Sequence, residues 1–173
     1  MKRIVITGMG VVSPIGNNAP QFEASLRLGR TGVKENHWHD TDGFASKELG
    51  KIEGFEPPKG LGRRQARHCS IVDLYALAAA QEALESARLS TDGKLGLTAG
   101  VVLGSGGTVA DMEAHIARSI QGGVKSPSKL LTTNPDSAGN AIAVRFGLHG
   151  PQGKTDLGRC RGFERIEGKG RQA

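Results

Sequence analysis

Between Ile71 and Arg88 the chain carries apolar side chains on nearly every side of a would-be helix, and such a helix cannot stand alone in water. Ser70 is placed to cap it. Ile71, Leu74, Leu77, Ala78 and Leu84 run along one side, and Val72, Tyr75, Ala79, Ala80 and Ala83 widen the stripe. The spacing therefore predicts a helix that is buried on several sides or lies in a subunit interface.

The flanking sequence supplies elements to cover it. Arg3 to Thr7 is short, β-branched and apolar and breaks at Gly8 and Gly10, the pattern of a buried parallel strand ending in a turn. After a loop through Ser13, Pro14 and Gly16, Pro20 opens a helix over 20–28, with Phe22 and Leu26 four apart and Gly29 as its stop. From Arg30 to Arg67 no regular period appears apart from a short strand around Lys51 to Phe55, and a segment this long is more often functional surface than connection. Val101 to Leu103 is a second strand run, closed by Gly104, Ser105, Gly106 and Gly107; Ala110 to Ile120 and Ala138 to Phe146 are helices, the latter stopped by Gly147 and Pro151. Alternating strands and helices predict an α/β fold with right-handed crossovers and a parallel sheet.

Composition narrows the function. A chain of 173 residues fits one domain. Its 37% apolar content excludes disorder, and aromatic residues at 4% leave too few for a stacking surface on single-stranded nucleic acid. Cys69 and Cys160 alone make neither a disulfide framework nor a four-ligand zinc site. The run Ile4 to Ile6 is too short for a signal peptide, and no later run approaches the ~20 residues of a membrane helix, so a cytoplasmic protein is expected. Net charge is +6. Residues 152–173 hold Lys154, Arg159, Arg161, Arg165, Lys169 and Arg171 against Asp156, Glu164 and Glu167, with no period of 2 or 3.6. Basic residues gathered in an unpatterned tail, rather than on a folded face, do not indicate nucleic-acid binding.

Local motifs give little chemistry. Gly8 and Gly10 suggest a dinucleotide-binding turn, but the third glycine should fall at Ser13, Pro14 follows where the phosphate-facing helix should start, and no acidic residue stands ready for a ribose. No cofactor is expected. His37, His39, Asp40 and Asp42 could face a metal from one loop, yet such loops are usually solvated and no metal is expected either. Cys69 adjoins His68 at the start of the long helix, where an activated thiolate could sit, though a buried inert thiol is commoner. His115 and His149 have no adjacent partner.

Taken together, RIVITGMGVVSPIGNN, FEASLRLGRTGV, GKIEGFEP, SIVDLYALAAAQEALESARLS, GVVLGSGG and NAIAVRFGLHGP resemble, in order, the N-terminal part of the β-ketoacyl-[acyl-carrier-protein] synthases, most of all the type I fatty-acid condensing enzymes. The resemblance implies a thiolase-like layered α/β fold of which only the N-terminal half is present, over residues 1–151, followed by a poorly ordered tail over 152–173. It also implies a homodimer, an acyl carrier protein as partner, and decarboxylative condensation of an acyl group with malonyl-carrier in fatty acid or polyketide biosynthesis. That chemistry needs a cysteine thiolate, backbone N–H donors for an oxyanion and two imidazoles.

The resemblance fails after Pro151. The family continues into an apolar strand and an Ala-Cys run, whereas this chain reads QGKTDLGRCRGFERIEGKGRQA. Cys160 falls one position late, between Arg159 and Arg161 instead of small residues, and none of the five histidines matches the family's catalytic pair. The catalytic residues are therefore unassigned, and the expectation is a truncated synthase, its reading frame lost near residue 152 and the chain inactive alone. The alternatives are a non-catalytic partner subunit acting as an interaction module and a nucleotide-binding α/β domain. A half-fold also leaves apolar surface wet. At ~25 cal/mol per Å², several hundred Å² forfeits on the order of 10 kcal/mol, so an association-prone product is expected.

Overall fold

The computed structural model describes residues 3–37, 42–43, 45–90, 95–105, 116–117, 120–121, 134 and 136–156. Nine residues, Ala19–Arg27, form α1. Asn18 caps it, its Oδ1 accepting from the Gln21 N–H at 2.9 Å, and Pro20 occupies the first turn, where its missing N–H costs nothing. A hairpin-like pair follows, β1 (Val33–Glu35) antiparallel to β2 (Glu48–Gly50), with Val33 opposite Gly50 and Glu35 opposite Glu48. The short α2 (Arg63–Ala66) leads to the long α3 (Ile71–Ser86). A 3-10 turn at Gly96–Thr98 leads into β3 (Val101–Ser105), and α4 (Ser137–Phe146) precedes β4 (Gln152–Asp156). β3 and β4 pair in parallel from Val101 opposite Gln152 to Ser105 opposite Asp156. Parallel pairing is thus present, but the partner of Val101–Ser105 is a strand beyond Pro151 that the sequence pattern did not indicate.

Helix α3 is the hub, and three different surfaces meet it. On one side Leu77 is buried with Val101, Ile142, Ala143, Phe146 and Leu148, and Ala76, Ala80 and Leu84 pack against that cluster. On a second, the backbone at Gly8 and Gly10 lies directly on the alanines: a Cβ added at Gly8 would sit 2.8 Å from the Ala87 Cβ, and one at Gly10 would sit 2.0 Å from the Ala79 carbonyl oxygen. These glycines serve close packing on a helix. On the third, the Tyr75 ring meets Phe55 edge to face at a centroid distance of 4.7 Å. The all-round apolar pattern is thereby explained.

Three polar ties fix the ends. At the start of α3 the Ser70 N–H donates to Asp73 Oδ2 at 2.7 Å while the Asp73 N–H donates to Ser70 Oγ at 3.1 Å, a reciprocal cap. The other Asp73 oxygen accepts from Ser137 Oγ at 2.7 Å, which joins the first turn of α3 to that of α4. Farther along, the Glu82 carboxylate accepts from the Val11 N–H at 2.8 Å and from the Ala19 N–H at 2.7 Å, so one side chain holds both the glycine segment and the start of α1 against α3. Gly147, left-handed at φ 64°, ends α4.

Several expectations need correction. Arg3–Thr7 joins no ladder among the described residues, and Ile4, Val5 and Ile6 are 95%, 58% and 85% exposed. A strand exists only through its neighbour's backbone, and the described residues supply none to this segment. The strand expected at Lys51–Phe55 forms instead at Glu48–Gly50, because the ladder with β1 runs out at Gly50, and Gly54, at φ 64°, turns the chain away. The 20–28 helix starts and stops one residue earlier, and the long helix stops at Ser86, with Arg88 at φ 54° just past it. Of the helix expected over Ala110–Ile120, only Ile116, Ala117 and Ile120 are described; all three are helical. β4 carries pairing five residues beyond Pro151, into the segment without period, since an outer strand on a two-stranded ladder needs backbone groups more than apolar side chains.

Two outcomes follow. Gly10→Ala drives a Cβ into the α3 backbone and should cost about 2–3 kcal/mol in urea unfolding; a loss within experimental error would refute the close approach. At micromolar concentration the chain should elute above its monomer mass, and Ile4→Lys with Ile6→Lys should return it toward monomer at unchanged helical ellipticity. Monomeric behaviour of the parent chain would count against the exposed segment as the cause.

Candidate functional site

In open α/β sheets, ligands gather beyond the carboxyl ends of the strands. Here that edge is set by Ser105 at the end of β3 and Asp156 at the end of β4, opposite each other in register. α4 returns to β4 through Gly147–Pro151, so its first turn lies on the side toward which the strands run, and the Asp73–Ser137 bond brings the start of α3 there too. Two helix N-termini therefore converge near this edge. Asp73, 2% exposed, and Ser70 are buried among them with all their short contacts made, which suits a rigid support for loops beyond β4.

Cys69 is the one thiol among the described residues, and it is not activated. Burial, and secondly the Asp73 carboxylate, push its pKa above the ordinary thiol value, and its Sγ–H donates to the Gln65 carbonyl at 3.4 Å. A helix N-terminus ordinarily lowers a thiol pKa. Desolvation and the neighbouring anion oppose it and win. The residue packs against the core cluster as a small apolar group.

The remaining candidates do not assemble. His37 lies exposed with Nε2 3.9 Å from Glu35 Oε2; His39 and Asp40 lie outside the described residues, as do His115 and Cys160. Among the described residues no group of three His, Cys, Asp or Glu side chains could hold a metal. Neither His68 nor His149 is buried, and the His149 backbone N–H is spent on the Gly96 carbonyl at 2.9 Å. Ser13, where a third phosphate-binding glycine would stand, instead closes a tight turn, its N–H donating to the Gly16 carbonyl at 2.9 Å. The residues that organise this edge, Asp73 and Ser137, were not singled out by the sequence reading. The S-x-x-D spacing at Ser70–Asp73 could have revealed the cap, but nothing local marks Ser137.

Residues 1–156 match the model of the β-ketoacyl synthase N-terminal domain. The chain belongs to the β-ketoacyl synthase family. It is 29% identical over 153 residues to the 3-oxoacyl-[acyl-carrier-protein] synthase 2 of Vibrio cholerae serotype O1, an alignment covering 87% of this chain and 37% of that protein. The crystal structure of a β-ketoacyl synthase from Burkholderia phymatum superposes with a TM-score of 0.74 at 27% identity, covering 90% of this chain and 40% of that one. A type II polyketide ketosynthase, solved in complex with its acyl-carrier protein, shares the fold at a TM-score of 0.62 and 19% identity. The fold expected from the sequence, a thiolase-like layered arrangement, is therefore present in its N-terminal portion, and the chain spans about two-fifths of the length of the ketosynthases it matches. No helix among the described residues is long and apolar enough to cross a membrane.

The raised Cys69 pKa has a pH signature. The folded state keeps the thiol proton to higher pH than the unfolded chain does, so the stability linked to the neutral thiol is intact below the ordinary thiol pKa and is lost as pH rises through the folded value. Alkylation of Cys69 by iodoacetamide, followed by peptide mass mapping, should therefore reach half-maximal rate at higher pH in the folded chain than in the urea-unfolded chain, which is the free-thiol reference. A midpoint at or below that of the free thiol would show an activated cysteine.

Proposed function

We propose that this chain supplies the N-terminal scaffold of a β-ketoacyl synthase, whose reaction transfers an acyl group from an acyl carrier protein to a cysteine and condenses it with malonyl-carrier after decarboxylation, and that the 173-residue chain alone is catalytically silent. The observation that carries this reading is the family match over residues 1–156, set beside a described thiol whose pKa is shifted away from reactivity. A thioester is attacked by thiolate, and a thiol held neutral by burial supplies almost none at neutral pH. Support for the carrier protein as partner comes from the related ketosynthase solved with one, and support for synthesis of fatty acids or polyketides from the relatives' own activities. Within this reading residues 1–151 are the synthase portion, residues 152–173 are a basic extension, and Cys160 takes no part in catalysis.

Incubating the purified chain with an acyl-carrier thioester and measuring its intact mass tests the proposal. The expected result is no mass increase after one hour at pH 7.5, with Cys69 and Cys160 both recovered unmodified. Stoichiometric acylation of Cys160 would make the chain a catalyst in its own right and overturn the reading.

A further inference from the structure

We propose that Arg3–Thr7 joins two copies of this chain, the segment of each pairing antiparallel with that of the other about a two-fold axis through Val5, so that Ile4 lies opposite the partner's Ile6 and Arg3 opposite the partner's Thr7. The inference rests on the segment's own sequence, exposure and anchorage and does not depend on the ketosynthase reading.

The segment is held at one end and open along its length. Its C-terminal side is fixed where Gly8 and Gly10 lie on α3 and where the Val11 N–H meets the Glu82 carboxylate at 2.8 Å. Before that anchor exposure alternates, with Ile4 at 95%, Val5 at 58% and Ile6 at 85%. A period of two puts Ile4 and Ile6 together on the more open side and Val5 on the other. No hydrogen bond from another described residue reaches the backbone of Arg3–Thr7. An apolar, unpaired run of this kind is an edge that another strand completes.

The sequence selects a second copy as that strand. Reversed on itself, RIVIT sets isoleucine against isoleucine twice and valine against valine once. Opposite residues of an antiparallel pair share a face, so sliding one copy by a single residue sets an open-side isoleucine against Val5 or against a polar end of the run. Sliding by two restores the faces but leaves only one isoleucine pair. Among the described residues β3 offers a rival open edge, but Gly104 interrupts its apolar run.

Charge sets the direction. Parallel pairing in register would hold the two Arg3 side chains across a strand spacing of about 4.8 Å, whereas antiparallel pairing holds them at opposite ends of the ladder, four residues or about 13 Å apart. Like charges at the first distance destabilise the pair, and the second exceeds the screening length of about 8 Å at physiological salt. Because both copies use the same edge, the contact closes at two chains.

Cysteine variants of the full chain test this under mild oxidation at micromolar concentration, with the linked peptides identified by mass mapping. A mixture of Ile4→Cys and Ile6→Cys chains should couple about tenfold faster than either chain alone, because opposite β-carbons approach disulfide range and those two positions along do not. Val5→Cys, on the axis, should couple with itself as fast as that mixture does. Sedimentation equilibrium of the parent chain should give twice its monomer mass. Ile4→Cys coupling with itself as fast as with Ile6→Cys would show a parallel pair, and faster coupling of Ile4→Cys to Val102→Cys would seat the segment on β3 of another copy. Either result, a monomer, or an open-ended series of masses would overturn the proposal.

Discussion

The architecture depends on backbone meeting backbone along one face of α3. Gly8 and Gly10 lack the Cβ atoms that would hold the N-terminal segment off the helix, and Ala79, Ala83 and Ala87 offer the least side chain that α3 could present there. Contact at this range gains dispersion over many atoms but directs nothing by itself. Direction comes from Glu82, whose two carboxylate oxygens take one N–H from the end of the glycine segment and one from the start of α1. A charged acceptor for two backbone donors is stronger than a neutral one, so a single residue in the middle of α3 fixes where two other pieces of chain begin.

That arrangement explains what could be foreseen. Helix existence was legible because capping and period are local: Asn18 and Ser70 bond within three residues of themselves, and Leu77 and Leu84 repeat at helical spacing. A parallel ladder was legible from extended runs alternating with helices, but its second strand, β4, lies in a segment with no strand period and was not. The order of six separated segments was enough to indicate the family. Arg3–Thr7 could not be placed by the same means, because RIVIT reports only what the segment would do beside another strand, and strand formation depends on a neighbour distant in sequence. Glu82 and Ser137 were invisible for the same reason: their partners lie 63 and 64 positions away. The glycines misled in one direction. A Gly-x-Gly after an apolar run fits a phosphate turn and a close helix contact equally well until the third position is inspected, and Ser13 there, followed by Pro14, already argued for the second.

Chemistry at the carboxyl edge is divided between what holds and what reacts. Burial raises the Cys69 pKa, and the neighbouring Asp73 carboxylate raises it further, which makes the thiol a poor nucleophile. The same carboxylate closes the cap of α3 and accepts from Ser137. An anion cannot serve both as the clamp between two helices and as a neighbour that encourages thiolate formation, because the charge that strengthens the first opposes the second. The described part of the molecule has resolved that conflict in favour of the clamp. The start of α3 therefore offers a structural thiol and no activated thiolate.

The buried polar groups where α3 meets α4 support the fold. Asp73 is nearly inaccessible and its carboxylate oxygens are both engaged; Ser70, equally enclosed, is bonded through its hydroxyl and its amide. At this junction buried polarity is fully paired. Asn17 is tied at its N–H and its Nδ2 but not at Oδ1, and Gln81 Oε1 on α3 and Arg145 Nε on α4 are likewise buried without a partner, so unmet polarity is dispersed over the described residues rather than gathered at one place.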